Sequence, residues 1–303
     1  MAEKRKFYGM RNDYMFHAVL QKNEELLRNL LATLLEIDEA EIESCHIENP
    51  IELGKEIEGK ECILDVKLTL NNDKVINIEL QVYKQTYWIN RSLLYWARTY
   101  DNLKSGQDYS MLLPAYHIGI LDFTLFENHP KFMAQYQILD VEDGYLYSDK
   151  LCIKVLDLTQ LEKAKQEPET NKKLLKWASI FKAETLEELE QLASGEEVFE
   201  NMVVTMKKLS EDEKIRMQCE AREDYERSLL TEYNAGKSEG IEQGIQQGIQ
   251  QGIASERRNT EKERQRAEKE SQRAEKERQR AENESQRADT LAAEVERLRA
   301  LLK

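Results

Sequence analysis

The chain has 303 residues, a length that allows about two structural units, each able to bury its own core. Its formal net charge of −14 argues against bulk electrostatic attraction to nucleic acid, although it does not exclude a local basic groove. The four cysteines form no CxxC pair and the four histidines no HxxH pair, which disfavours a zinc site and predicts reduced cysteines. No targeting segment and no bilayer-spanning apolar stretch is evident, so we expect a cytoplasmic protein.

The first half of the chain predicts alternating helices and strands. Apolar residues at helical spacing predict a first helix over 13–36, with Asn12 or Asp13 as its N-cap. The elements expected after it are a strand near 45–53, a hairpin over 62–83, a helix from 91 to about 104 capped by Asn90, a central strand within 112–123, and strands at about 132–140 and 150–157. This order favours the α/β class, with a mixed central sheet flanked by helices.

The hairpin over 62–83 is the most informative part of the chain. Two alternating apolar runs are separated by the turn-forming residues 71–73. If the turn is centred on its middle residue, Asp65 faces Glu79 across the two strands. The side-chain period of two then places Asp65, Glu79 and Gln81 on the same face of the sheet.

Two carboxylates directly opposite each other destabilise an ordinary sheet. A divalent cation between them removes this repulsion, because hard cations prefer carboxylate oxygens. The hairpin therefore supports the hypothesis of a metal-dependent hydrolytic site. The alternative is that both acids lie on a solvated face and that their register is accidental. The same face also carries amide and aromatic groups, which is more typical of a cleft wall than of a plain surface.

After about residue 159 the pattern becomes helical. Helices are expected around 171–182, 184–193, 196–209 and 211–233. A Gly-Ile pair then recurs every four residues over 240–253, which allows either close helix packing or partial disorder. A seven-residue repeat from 261 favours a lone charged helix over 261–287 and a short zipper over 288–302. The predicted division is a domain over 8–160, a helical region over 165–233, the Gly-Ile repeat over 234–256, and a charged helix with a short coiled-coil end over 257–303.

Several short motifs in the first half occur in a specific order. They are Asn12-Asp-Tyr-Met-Phe, Ile63-Leu-Asp65-Val66, Asn77-Ile-Glu79-Leu-Gln81, Arg91-Ser-Leu-Leu-Tyr95-Trp96, and Gly106-Gln-Asp-Tyr109 leading to Leu113-Pro114 and Ile118-Gly-Ile-Leu-Asp122-Phe. Because of these motifs and their order, the segment over about 8–160 resembles the PD-(D/E)XK nuclease family transposases, which include the recombination-promoting nucleases. The Gly-Ile-Glu-Gln-Gly segment of the tail resembles that of such proteins as well.

The resemblance implies a restriction-endonuclease-like core with Asp65, Glu79 and Gln81 as catalytic residues. Asp65 and Glu79 would hold Mg²⁺, with Mn²⁺ as a substitute, while Gln81 takes the position usually occupied by Lys. Asp13 and Arg91 would support the site. The function implied is a Mg²⁺-dependent DNA endonuclease that acts in DNA recombination or transposition of mobile elements, with DNA as its partner.

An alternative function is a catalytically weak or inactive nuclease-fold interaction protein that forms a homo-oligomer through its C-terminal helices. The Gln81 amide, which can orient water but contributes no charge, favours this alternative, as do the acidic balance and the long polar helices. Membrane binding by the tail has little support, because 261–287 lacks large apolar residues.

Overall fold

A computed structural model describes residues 6–51, 53 and 65–301 of the chain. Residues 62–64, the first part of the predicted hairpin, lie outside the described residues. The chain divides into two compact units, Met1–Leu230 and Thr231–Lys303.

Within the described residues, six strands of the first unit form one mixed sheet. The strands are β1 (Cys45–Ile47), β2 (Val66–Leu70), β3 (Lys74–Gln81), β4 (Ala115–Leu121), β5 (Met133–Leu139) and β6 (Leu146–Asp157). Their order is β1-β2-β3-β4-β6-β5, with β4 parallel to both β3 and β6 and the other pairs antiparallel. The predicted α/β class and the mixed sheet are confirmed. The apolar run of the predicted central strand is β4, which is almost wholly buried between its parallel neighbours.

The turn between β2 and β3 is built by two asparagines. Asn71 and Asn72 have φ angles of 50° and 55°, a left-handed conformation that asparagine tolerates better than most residues. The N–H of Asp73 donates to the carbonyl of Leu70 at 3.0 Å and closes the turn, and Leu70 then pairs with Lys74. The predicted centre of the turn is therefore confirmed.

The hairpin register follows from this turn. Val66 lies opposite Ile78 in the antiparallel pair. One further residue along the same register brings Asp65, directly before β2, opposite Glu79. The apolar side chains of both strands point to the core on the other face, so a slip by one residue would expose them.

The first helical segment differs from its prediction. The single helix expected over 13–36 is wrong: the chain forms α1 (Asp13–Lys22) and α2 (Glu24–Leu35). Asn23 between them has an extended backbone, and its amide donates to the hydroxyl of Thr205 at 2.8 Å. The predicted cap is confirmed, because the Asn12 side chain accepts the N–H of the third residue of α1 at 3.1 Å.

The helix after the hairpin also begins and ends earlier than expected. α3 spans Trp88–Tyr100, so the predicted range of 91–104 and the predicted cap Asn90 are both wrong. The fully buried Trp88 anchors the first turn by packing on Gly119 of β4. Burial of such a large side chain stabilises this start more than a polar cap at position 90 would.

The remaining helices complete the core and form the tail. They are α4 (Leu161–Ala164), α5 (Lys172–Lys182), α6 (Leu186–Ala193), α7 (Glu197–Glu211) and α8 (Glu213–Leu301). The larger of two apolar clusters among the described residues includes residues from Tyr8 near the start of the first unit to Cys219 in α8, so the helices after residue 160 share this core with the sheet. The predicted end of a helix at 233 is wrong, because α8 continues through it. The four-part domain division stays a prediction.

The second unit is the distal part of α8. Its described side chains are exposed, including those of the Gly-Ile repeat. Among the described residues, no helix combines the length and the apolar character needed to cross a membrane.

We expect Gly119→Ala to destabilise the first unit by roughly 1–3 kcal/mol, a typical cost of overpacking a core. A Cβ at position 119 would lie 2.3 Å from Cζ2 of Trp88, so the helix that covers the sheet would have to shift. Thermal unfolding followed by tryptophan fluorescence measures this effect, since all three tryptophans lie in the first unit. Gly244→Ala, which meets open space, serves as the control and should leave this transition unchanged. An unchanged melting temperature for Gly119→Ala would contradict the packing of α3 described above.

Candidate functional site

Two buried carboxylates form the centre of the candidate site. Asp65 is 6% exposed and Glu79 is 1% exposed, and both lie on the sheet face that α3 covers. Their burial excludes the alternative of a solvated face. The Asn77 amide, also buried, donates to Oδ2 of Asp65 at 3.3 Å and lies 3.3 Å from Nδ1 of His117 on β4.

Glu79 faces two cationic or potentially cationic side chains. Nε of Arg91 lies 2.9 Å from Oε1, and Nε2 of His117 lies 3.4 Å from Oε2. These are contacts by distance only, because neither carboxylate oxygen of Glu79 has a hydrogen-bond donor with good alignment among the described residues. Both oxygens of a fully buried carboxylate therefore keep lone pairs available for another ligand.

The electrostatics of the pair favour a proton on Asp65. Burial, together with the nearby charges of Glu79 and Asp13, raises the pKa of Asp65 from 3.8 to about 7. The Asn77 hydrogen bond and the positive charge of Arg91 act in the opposite direction. Burial dominates because it removes the charged form from water.

Arg91 is the predicted support residue that contacts the pair directly. Its guanidinium lies 4.8 Å from the ring centroid of Tyr95, one turn further along α3. The Tyr95 ring stacks on His117 with a centroid distance of 6.3 Å. The helix thus brings a cation to Glu79 and fixes the cation's orientation with an aromatic ring.

Asp13, the other predicted support residue, lies at the first position of α1 and binds an arginine from the last helix. Nε of Arg222 donates to both carboxylate oxygens at 3.0 Å, and the guanidinium makes a further contact to Oδ2. The structure therefore places Asp13 within electrostatic range of Asp65 but pairs it with Arg222. Its role in supporting a metal stays a prediction.

Gln81 is the last residue of β3 and its side chain is partly exposed. Its backbone carbonyl accepts the N–H of Asp122 at 3.0 Å, whereas among the described residues its side-chain amide makes no hydrogen bond. The chain then continues into Val82 and Tyr83, which border a cavity of about 330 Å³ together with Arg11. The amide is thus free to contact a ligand from the open side of the sheet.

Sequence reasoning missed three residues of this site. His117 has a weak signal, as a polar residue in an otherwise apolar strand that pairs with Asn77 in the parallel register. Trp88 is indistinguishable in the sequence from any other core aromatic. Arg222 has no local signal at all, because it lies 209 positions from its partner Asp13.

The donor set fits a hard divalent cation held by few protein ligands. Asp65 and Glu79 supply carboxylate oxygens, and those of Glu79 lack aligned donors. No cluster of three or more metal-binding side chains occurs in the part of the chain that the structure describes. Mg²⁺ can bind with only two protein ligands, since it usually uses one or two carboxylates together with water and phosphate oxygens.

A mixed sheet with a buried carboxylate pair on neighbouring strands defines the class of restriction-endonuclease-like proteins. A family model described as PD-(D/E)XK nuclease family transposase matches residues 10–236, and the chain belongs to this family. Membership supports a nuclease-like function in transposition, a DNA substrate and the use of a divalent metal. No curated protein and no solved structure matches the chain.

We expect Asp65→Asn to stabilise the protein above pH 7. The folded-state pKa of Asp65, about 7, exceeds the ordinary value of 3.8, so the folded state binds this proton more tightly than the unfolded state does. The contribution of Asp65 to stability therefore falls as pH rises from about 4 to about 7. The variant should exceed the wild type by on the order of 2–4 kcal/mol at pH 8, with the difference vanishing near pH 4.

Urea unfolding at several pH values measures this difference. Burial also raises the pKa of Glu226 to about 7, but Glu226 is present in both proteins and cancels. Asp101→Asn, at an exposed carboxyl, is the matched control and should show no such gain. A stability difference that is independent of pH would argue against the buried, proton-bound Asp65.

Proposed function

We propose that this protein is a Mg²⁺-dependent DNA endonuclease that acts in recombination or transposition of mobile elements. The observation that supports this most strongly is the buried pair of Asp65 and Glu79, in which Glu79 keeps unsatisfied oxygens. Membership in the PD-(D/E)XK nuclease family transposases gives the substrate class. Mn²⁺ is expected to substitute for Mg²⁺.

Asp65 and Glu79 are the residues that would hold the metal. When bound, Mg²⁺ would polarise the scissile phosphate, acidify an attacking water and offset charge on the leaving oxygen. Metal binding requires Asp65 to lose its proton, so affinity should fall as the pH drops below about 7.

The neighbouring side chains fix the orientation of both carboxylates. The Asn77 amide can only donate from its nitrogen, so the facing Nδ1 of a neutral His117 acts as acceptor. The ring proton then lies on Nε2, which is 3.4 Å from Oε2 of Glu79 but is not aligned as a hydrogen-bond donor to it. This tautomer requires no charge on His117, so the negative charge of Glu79 stays available for a cation.

Arg91 and Gln81 are proposed to act on the substrate. A partly exposed guanidinium 2.9 Å from Glu79 can turn toward a phosphate oxygen when a metal takes its place beside the carboxylate. Gln81 can orient the attacking water through its amide, but it supplies no positive charge. We therefore propose that turnover is slower than that of an otherwise identical site with Lys at position 81.

Purified wild-type protein is expected to nick supercoiled plasmid DNA in Mg²⁺ and not in a chelator. Asp65→Asn and Glu79→Gln should each lower the rate by at least about a hundredfold, because each removes a metal ligand. Gln81→Lys should raise the rate, since it adds the charge that the amide lacks. Initial nicking rates on agarose gels give the comparison.

Asp101→Asn is again the matched control and should cleave like the wild type. If Asp65→Asn cleaved DNA at the wild-type rate, the cleavage would not depend on Asp65, and the proposed site would be contradicted.

A homo-oligomer formed through the tail is a second proposal, supported by the second unit alone. Ile241, Ile245, Ile249 and Ile253 are between 49% and 59% exposed along one continuous helix. Their four-residue spacing, with a glycine before each, suits close packing against a second helix. This assembly is compatible with catalysis or, if the site is inactive, with an interaction function.

Replacing both Ile245 and Ile249 by Gln should lower the molar mass measured by light scattering after gel filtration, because it removes apolar surface from the proposed interface. The double replacement of Gln246 and Gln250 by Ala changes the same helix without touching the isoleucines, and it should leave the mass unchanged. A monomeric wild type at all concentrations would exclude assembly through this segment.

A further inference from the structure

α3 has a charge character opposite to that of the whole chain. The formal net charge is −14, yet residues 80–100 contain no Asp or Glu and carry three cations, Lys84, Arg91 and Arg98. This segment leads directly out of the strand that carries Glu79 and Gln81. A local positive stretch in an acidic protein marks where a polyanion can approach without repulsion.

The three cations of this segment differ in whether a carboxylate lies close enough to neutralise their charge. Lys84 pairs with Glu127 at 2.8 Å, and Arg91 lies 2.9 Å from Glu79. Arg98 is exposed and, among the described residues, has no carboxylate within ion-pair distance; its guanidinium lies 5.9 Å from the ring centroid of Tyr95. Arg98 is therefore a cation held in place by an aromatic ring and not by an acid.

One flank of α3, the side from which Arg91 reaches Glu79, also presents apolar and aromatic groups. Positions 91, 94 and 98 recur at helical spacing along this flank, and Tyr87 is the N-cap residue directly before the helix. Tyr87 at its start is 74% exposed, and Leu94 in its middle is half-exposed. An exposed ring close to arginines is a combination that binds single-stranded nucleic acid, with bases stacked on the ring and phosphates on the cations.

We infer that this flank of α3 holds a single-stranded segment of the DNA substrate next to the candidate site, with Arg98 on a phosphate and Tyr87 stacked on a base. This inference rests on the proposed function. It deepens that proposal by naming the substrate class as DNA with an unpaired stretch, such as a frayed or branched end.

The dimensions of the helix suit one strand. Arg91 and Arg98 are seven residues apart, which is roughly 10 Å along the helix axis. Cations at this separation can contact different phosphates of the same strand. A duplex would bring twice the phosphate density to an acidic protein that offers one unpaired arginine here, so a single strand is favoured.

Fluorescence anisotropy of the full chain in a chelator tests the inference apart from cleavage. The probes are a labelled oligonucleotide as a single strand and as a blunt duplex of the same length. We expect the wild type to bind the single strand more tightly. Arg98→Gln and Tyr87→Ala should each weaken that binding about fivefold or more. Arg98→Gln should also lower the salt-dependence slope by about 0.7.

Two further variants distinguish a loss of strand binding by α3 from a general effect of substitution on folding or charge. Tyr87→Phe keeps the ring and should bind like the wild type, and Arg264→Gln removes an exposed arginine from the tail as the matched control. Unchanged single-strand binding by Arg98→Gln or by Tyr87→Ala would overturn the inference, as would tighter binding of the duplex or no binding by the wild type. A dimer that these substitutions dissociate would assign the flank to a second copy and overturn the inference as well.

The two proposals fail in different ways. If the wild type cleaves plasmid in Mg²⁺ but Arg98→Gln and Tyr87→Ala bind like the wild type, only the role of α3 is wrong. If both variants lose single-strand binding but no cleavage is found with any metal, the strand-binding flank stands and the endonuclease proposal is wrong.

Discussion

The burial of two carboxylates on neighbouring strands beneath α3 is the constraint on which the rest of this site depends. Two like charges out of water repel each other and lose their hydration, so such a pair persists only if its surroundings offset the cost. Here a proton on Asp65, the Arg91 guanidinium and the Asn77 amide share that task. A cation that binds to both carboxylates would replace the proton and release Arg91.

The scaffold explains why these groups meet. The asparagine turn sets the register that aligns Asp65 with Glu79, and the parallel pairing of β3 with β4 sets His117 beside Asn77. Gly119 then allows Trp88 to lie directly on the sheet, which brings α3 close enough for Arg91 to reach Glu79. α3 covers the two carboxylates and also carries arginines. The same helix can therefore shield the site and attract phosphate.

The sequence predicted the features that local chemistry determines. The turn residues and the side-chain period of two were sufficient to place Asp65 opposite Glu79 on one face, and the motif order predicted the family. Features decided by tertiary contacts were missed. Asn23 interrupts the first helix where it meets Thr205, and the buried Trp88 starts α3 before the polar residue that was expected to cap it. The Arg222–Asp13 pair joins the two ends of the first unit and could not be read from either end.

We propose that Asp65 and Glu79 bind one divalent cation together. Isothermal titration of the wild type with Mn²⁺ at pH 8 tests it most directly, with Glu79→Gln and Asp101→Asn titrated in parallel. We expect one Mn²⁺ site per chain in the wild type and in Asp101→Asn, and a loss of affinity of about tenfold or more in Glu79→Gln. Absence of metal uptake by the wild type, or equal uptake by Glu79→Gln, would contradict it.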